Sequence, residues 1–409
     1  MRISVIGDAS SPHVLSRTRA FARRGHNVIL LSEMPGKGED LKILSPLKDG
    51  PRFLGTFRQL SRLAALMWRS NADIYHVHYA TGYGAWLSAA LDLKPLIVSV
   101  MGGDVLPDEQ APQSALARWL TRRLLRAADL VTSKSGYLTD RLLAMGVDPA
   151  RIMTLPWGVD MAVFRRRNTQ SLRSRLDIAT DAEVILSPRS VTPFYNIHLI
   201  LAGFAKAVRR YPSAALVIVG HRIDPDYQAE LTRQAADLGV SQNVRFVGTI
   251  PSHEMPDFFS LAAISVNVPS SDGLPQSIME AMACGTPNLI GALNRYEELV
   301  KHGESAWFVA LDSEKIGDAL LRLLDDSDLR RRLAETGLAL VRDRADLARN
   351  VERVEAAMTV VVESRHQNRA AWRRPRVGLL VAIALMVVEL GVLRRMRTSL
   401  TTPMPGFES

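Results

Sequence analysis

One cysteine, Cys284, stands in the 409 residues, so no disulfide can close within the chain, and the usage fits a reducing compartment. No secretory leader is visible: the apolar run after Met1-Arg2 is only Ile3 to Ile6, which reads as a first strand. The loop that follows, Asp8 to His13, holds no glycine, and Gly7 stands alone before it. A dinucleotide fold carries G-x-G-x-x-G at this place, so a nicotinamide-linked dehydrogenase fails on the missing fingerprint. His76 and His78 point to one side of a strand, but no third ligand lies near in sequence, which argues against a metal. No carboxylate pair stands out as a double-displacement apparatus. Most of the chain also lacks a charge excess. Residues 365 to 397 hold eight arginines and one acid, Glu389, while the rest has 43 basic and 41 acidic residues. The basic excess therefore belongs to the tail, which argues against nucleic acid and for an anionic membrane surface.

What is present reads as two alternating α/β halves, since 409 residues exceed one typical core. In the first half, strand-like runs recur at Arg2 to Gly7, Val28 to Leu31, Asp73 to His78, Pro95 to Val100 and Asp129 to Ser133, with helical stretches between them. This is the pattern of a doubly wound parallel sheet, whose ligands collect beyond the carboxyl ends of the strands. His13, His78 and the stretch Met101-Gly102-Gly103-Asp104-Val105 fall at such ends. The two glycines let backbone N–H groups approach a ligand, and Asp104 either accepts a bond from a hydroxyl or caps the next helix. Pro156 and Gly158 mark a stiff linker, which places the boundary near Phe164. The second half repeats the pattern with Glu183 to Ser187, Ala215 to Gly220, Val244 to Val247 and Ile264 to Val268 as strands.

The densest stretch is Ser270 to Pro287, SSDGLPQSIMEAMACGTP. Asp272-Gly273 is turn chemistry, Pro275 suits a first helical position, and Gly285 with Pro287 stops the helix. Asp272 thus sits on the loop before a helix and Glu280 inside it, eight residues on. The free N–H groups of a helix start can face a phosphate or a ring of hydroxyls.

This stretch resembles the signature of the retaining glycosyltransferases of family four, which have the GT-B fold. Their pattern is E-G-x-P, a Glu eight residues after the first, then A-M-A-x-G-x-P. Gly273, Pro275, Glu280, Ala281, Met282, Ala283, Gly285 and Pro287 fit it, and Asp272 replaces the first Glu. The resemblance implies two Rossmann-like domains facing across a cleft, with the last helix crossing back to the first domain. It implies retaining transfer from a nucleotide-diphosphate sugar, with neither metal nor cofactor, to a glycan or lipid-linked acceptor. By analogy Glu280 holds the ribose hydroxyls, Asp272 faces the transferred sugar and Arg189 neutralises the diphosphate. Backbone groups at Gly273, Leu274 and Pro275 add to this, and Gly220, His221 and Gly248 line the nucleotide. His13, Gly102, Gly103 and Asp104 fall on the acceptor side, and His78 is the catalytic candidate that this half adds to the cleft. The chain departs from the family at three further places. Tyr195-Asn196 stands where a lysine is usual, Met101 where many members have a histidine, and no glycine pair occupies the 8–13 loop. The missing lysine, Asp272 and Met101 keep a second reading open: a catalytically silent sugar-nucleotide-binding or scaffold protein on the same fold.

The division expected is therefore 1–164 for the acceptor domain, 165–348 for the donor domain, 349–372 for the returning helix and 373–409 for a membrane-associating tail. Within the tail, Val377 to Leu393 is 17 residues with one charge, flanked by arginines. A spanning helix needs ~20 apolar residues, so a span, an in-plane membrane helix and a helix docked on the protein all remain open. The expected location is cytoplasmic, peripheral to or anchored in the cytoplasmic membrane.

Overall fold

The computed structural model describes residues 1–33, 35–36, 40–46, 52–106, 114–220, 222–273, 275–367 and 376–387. The chain divides into two compact units, Met1–Leu155 with Val351–Ser409, and Pro156–Asn350. The first division thus falls before the P-W-G-V-D stretch and not near Phe164. The reason is local: Val159 bridges to Asp346, and a side chain at Gly158 (φ +83°) would collide with the Ala345 carbonyl. The stretch is packed into the second unit, with Trp157 2% exposed.

The first unit runs β1 (Arg2–Ile6), α1 (Pro12–Arg23), β2 (Asn27–Leu31), β3 (Lys42–Leu44), α2 (Arg52–Arg69), β4 (Ile74–His78), α3 (Tyr83–Ala90), β5 (Leu96–Ser99), α4 (Ala115–Ala127), β6 (Leu130–Ser133), α5 (Gly136–Ala144) and β7 (Ile152–Thr154). Its sheet is parallel throughout, in the order β3-β2-β1-β4-β5-β6-β7. The order reverses between β1 and β4, so the loops after these strands flank the crevice where such sheets bind ligands. Right-handed crossovers place α2, α3, α4 and α5 on one face, and their apolar sides share one core.

Within that layer α3 is unusual, because Gly84 through Ala90 are all buried. A surface crossover helix should keep a wet side. The cover is a helix over residues 377–387, whose Leu379, Ala382, Ile383 and Met386 join the same core. It starts where the Arg376 N–H donates to the Ala90 carbonyl (2.7 Å) and Arg376 pairs with Asp92. It ends near the start of α4, where Ser114 meets the Met386 sulfur (3.9 Å). Of the three arrangements open for 377–393, the described part takes the docked one. Among the described residues no helix is long and apolar enough to cross a membrane.

The second unit runs α6 (Gln170–Arg175), β8 (Val184–Ser187), α7 (Ile197–Val208), β9 (Ala215–Val219), α8 (Pro225–Asp237), β10 (Val244–Gly248), α9 (Met255–Leu261), β11 (Ile264–Asn267), α10 (Gln276–Ala283), β12 (Asn288–Gly291), β13 (Trp307–Val309), α11 (Ser313–Asp325) and α12 (Ser327–Arg344). The sheet is again all parallel, ordered β10-β9-β8-β11-β12-β13, and reverses between β8 and β11. Trp307–Val309 supply β13 as a parallel edge strand on β12. The last long helix, α13 (Leu347–Gln367), belongs to the first unit from Val351 onward. Its Glu355 pairs there with Arg24 and His26.

Candidate functional site

In the second unit, Arg189 lies on the loop after β8 and Asp272 on the loop after β11, the two loops of the switch point, while Glu280 lies in α10. After β8 the chain turns through Pro193–Tyr195 into Asn196, a non-glycine residue in the left-handed region (φ 51°). The Asn196 amide donates to the Val268 carbonyl (2.9 Å) and to Ser270 Oγ (3.1 Å), and the Ser270 N–H donates to the Phe194 carbonyl (3.0 Å). The loop after β8 is thereby stitched to the loop after β11. Of the pair Tyr195-Asn196, which stands where the resemblance expects a lysine, Asn196 works as a brace and not as a cation. Replacing it with Ala should cost about 2 kcal/mol, from lost amide bonds and left-handed strain, as a lower urea midpoint would report. Asn196→Gly should recover the part due to strain.

Arg189 sits on the braced loop, nearly buried. Its Nη1 lies 2.9 Å from Asp272 Oδ2, and it donates to Ser277 Oγ at 3.4 Å. The guanidinium rests over the Tyr195 ring, 4.5 Å from its centre. Burial pulls this arginine's pKa down, but Asp272 and then Tyr195 outweigh it and hold it above the ordinary value. Tyr296, fully buried, also interacts electrostatically with the guanidinium. Glu280 lies in α10 within the same field: burial pushes its carboxyl up to about 7, and Arg189 opposes that rise. Asp272, Glu280 and Arg189 therefore form one electrostatic cluster. Pro275 stands one residue before α10, at the N-cap position and not at the first helical position expected, and its side chain makes no cap.

Two glycines expected at the nucleotide have structural neighbours. A side chain at Gly220 would press on the Arg189 carbonyl and the Val191 N–H, so this glycine seats the arginine loop against the end of β9. Gly248 takes φ +85° and accepts from the Gly220 N–H (3.1 Å). Gly273 is buried beside Asp272. His221 and Leu274 lie outside the described residues. Sequence reading missed Ser277 and Tyr296, and it named Tyr195 only as a departure. The signal for Tyr195 was its place, six residues after an arginine in need of a fixed plane.

The first unit's crevice is built differently. His76 and His78 are buried, with ring centres 4.2 Å apart, and His76 Nε2 meets Ser99 Oγ at 2.8 Å. Burial first, and then the neighbouring Arg17, push His76 down to about 3, and burial also drives His78 well below its usual value. Both rings are neutral at pH 7. Arg17 is a residue the sequence reading missed. It reaches from α1 to the Met101 sulfur (2.9 Å), and burial lowers it to about 9. Nothing in the pattern of α1 marks it, because its neighbours Arg19 and Arg23 look the same in sequence.

Asp104 settles between its two expected uses in a third way. Its carboxylate accepts from the N–H groups of Ala80 (2.7 Å), Met101 (3.0 Å) and Gly102 (2.9 Å). It clamps the loops after β4 and β5 together, with Gly102 at φ 126° making the turn. Asp104→Ala should lower unfolding free energy by about 3 kcal/mol, because three N–H groups lose a charged acceptor. Asp104→Asn should lose less, measured as the shift in urea midpoint. Gly103 is partly exposed on this loop, and His13 is exposed in the first turn of α1. Among the described residues no three His, Cys, Asp or Glu side chains gather to hold a metal ion.

Comparison with known proteins fits this geometry. Residues 168–339 match the family model described as glycosyl transferases group 1, and residues 11–163 match that described as glycosyltransferase family 4. The chain is a glycosyltransferase of the GT-B type. It is 26% identical over 376 residues to a D-inositol 3-phosphate glycosyltransferase of Corynebacterium efficiens, covering 83% of this chain and 88% of that one. Against the protein of the same name from Frankia alni, identity is 33% over 222 residues, 52% of this chain and 53% of that one. In fold it is similar to HepE of Anabaena, solved with UDP and glucose, at TM-score 0.75 and 17% identity, covering 88% of this chain and 99% of that one. It is also similar to sucrose-phosphate synthase of Thermosynechococcus elongatus, at TM-score 0.73 and 19% identity, with the same coverage. Both units of this GT-B enzyme thus carry the parallel α/β architecture of the group.

Proposed function

We propose that the chain transfers a sugar from a nucleotide-diphosphate sugar, with retention of configuration, to a glycan or lipid-linked acceptor in polysaccharide biosynthesis. The observation that carries this is the cluster of Arg189, Asp272 and Glu280 at the carboxyl-end switch point of the second unit. Arg189 has one amine on Asp272 and keeps further N–H donors for a diphosphate, with its plane fixed by Tyr195. Glu280, when ionised, accepts from the ribose hydroxyls, and Asp272 faces the transferred sugar. As the nucleoside diphosphate departs, negative charge grows on its terminal phosphate. A preorganised cation at that oxygen lowers the barrier most. The UDP and UDP-glucose complexes of HepE support a donor of this class.

An acceptor carried on a lipid would bring the enzyme to the cytoplasmic face of the membrane as a peripheral protein. The docked helix over 377–387 supports this through its outward apolar residues, Val377, Val381 and Leu385.

Thermal-shift screening of the chain against UDP-, GDP- and ADP-sugars tests the donor. One class should raise the melting temperature, and Glu280→Ala should abolish that shift. A shift that survives this change removes the donor-site assignment. Binding without any release of nucleoside diphosphate would favour the silent reading that Tyr195-Asn196, in place of a lysine, keeps alive.

A further inference from the structure

The face of the first unit that carries α2, α4 and the helix over 377–387 combines features that no part of the donor chemistry uses. α2 and α4 together hold eight arginines and not one Asp or Glu. On their solvent sides stand Arg58, Arg69, Arg122 and Arg123, with Trp68 and Trp119 each 40% exposed. α3 packs with both helices, and the 377–387 helix covers α3 from outside. That outer helix is apolar on both sides. Its inner side is buried in the shared core, while Val377, Val381 and Leu385 are 68%, 54% and 57% exposed. Their spacing of four residues lines them up as one ridge along the helix. So an apolar ridge stands over the layer in which two acid-free, arginine-bearing helices each show a tryptophan.

We infer that this composite face, and not the tail alone, is a docking surface for an anionic lipid bilayer. This deepens the membrane-peripheral reading above and rests on it. Charge decides the occupant. A second copy docked by the same patch would set arginines against arginines, since a two-fold contact is self-complementary. A bilayer interface offers what the patch lacks: anionic headgroups for the arginines, acyl chains for the ridge, and the boundary depth at which tryptophan is favoured. The sequence assigned the basic excess to residues 365–397. The fold adds two helices whose arginines are balanced only by acids elsewhere in the chain.

The test is flotation of the full chain with phosphatidylcholine vesicles, with and without phosphatidylglycerol, at low and high salt. Two variants accompany it. One removes charge (Arg58→Gln, Arg69→Gln, Arg122→Gln, Arg123→Gln), and the other breaks the ridge (Val381→Asp, Leu385→Asp). These side chains are solvent-facing, so melting temperatures should hold, and they are checked in parallel. The wild-type chain should bind anionic vesicles and release at high salt. Each arginine near such a surface is worth roughly fivefold in partition, so the charge variant should lose at least ~100-fold. The ridge variant should lose at least tenfold, by the scale of two apolar side chains withdrawn from the interface, about tenfold each. If the wild-type chain ignores anionic vesicles, the face falls together with the membrane reading. If it binds them and both variants bind equally well, the membrane reading stands and the composite face is overturned. Duplex DNA that binds the wild-type and ridge variants alike, and is lost only from the charge variant, would also overturn it in favour of a polyanion site.

Discussion

Arg189→Gln is expected to lower turnover about 10²- to 10³-fold, the loss usual when one preorganised donor to a developing anion is removed. The same change leaves Asp272, 8% exposed, without its cation, so stability should drop by about 3 kcal/mol as well. Fall in activity alone therefore proves little. The double variant Arg189→Gln, Asp272→Asn separates the two effects. Neutralising the orphaned carboxylate should restore most of the lost stability, because a neutral amide pair replaces a buried unpaired charge. Activity should stay low, since the diphosphate still lacks its cation. The checks are the urea midpoint and the rate of nucleoside diphosphate release. Recovery of both together would make the pair a structural strut. Arg189→Lys should fall between, because a lysine keeps the charge but not the planar fork that stacks on Tyr195.

Glu280 should impose two pH trends of opposite sign. Its carboxyl is raised by burial, against the pull of Arg189, to about 7 in the folded chain from 4.5. The folded state thus holds this proton more tightly than the unfolded state does. Its contribution to stability is full below the unfolded value and is lost as pH rises through about 7. Because the side chain keeps partial exposure, the loss is on the order of 2 kcal/mol. Donor binding runs the other way. Two ribose hydroxyls need an ionised acceptor, so affinity for the free enzyme should climb as pH passes about 7. Glu280→Gln should flatten both curves, raise stability on the alkaline side and weaken the donor at every pH. Titration calorimetry and urea melts across that window read the two trends independently. A wild-type affinity that ignores pH there would remove Glu280 from the ribose.

Much of the fold was legible because alternation of short apolar runs with helical stretches is a strong signal over long spans. The Asp272–Glu280 stretch was legible because turn chemistry, a helix start and a helix stop agree within eighteen residues. The misses have a common physical cause. β3, β7 and β13 are three residues each, too short to show a period, and they exist because a neighbouring strand offers an open edge. The docked position of 377–387 depends on α3 lacking a wet side, which only the layered arrangement reveals. Asp104 gave two plausible local uses and took a third, because the groups that donate to its carboxylate include the Ala80 N–H, twenty-four residues away. Arg17 and Tyr296 carry no local mark at all, and burial singles them out.

On the proposed function, the corner formed by Arg189, Asp272 and Glu280 holds the donor. A crystal structure of the chain with whichever of UDP, GDP or ADP gives the largest thermal shift tests it most directly. A phosphate oxygen is expected within about 3 Å of the Arg189 guanidinium, and ribose hydroxyls within about 3 Å of the Glu280 carboxylate. A nucleotide bound elsewhere, with Arg189 still closed on Asp272 and no hydroxyl at Glu280, would contradict it.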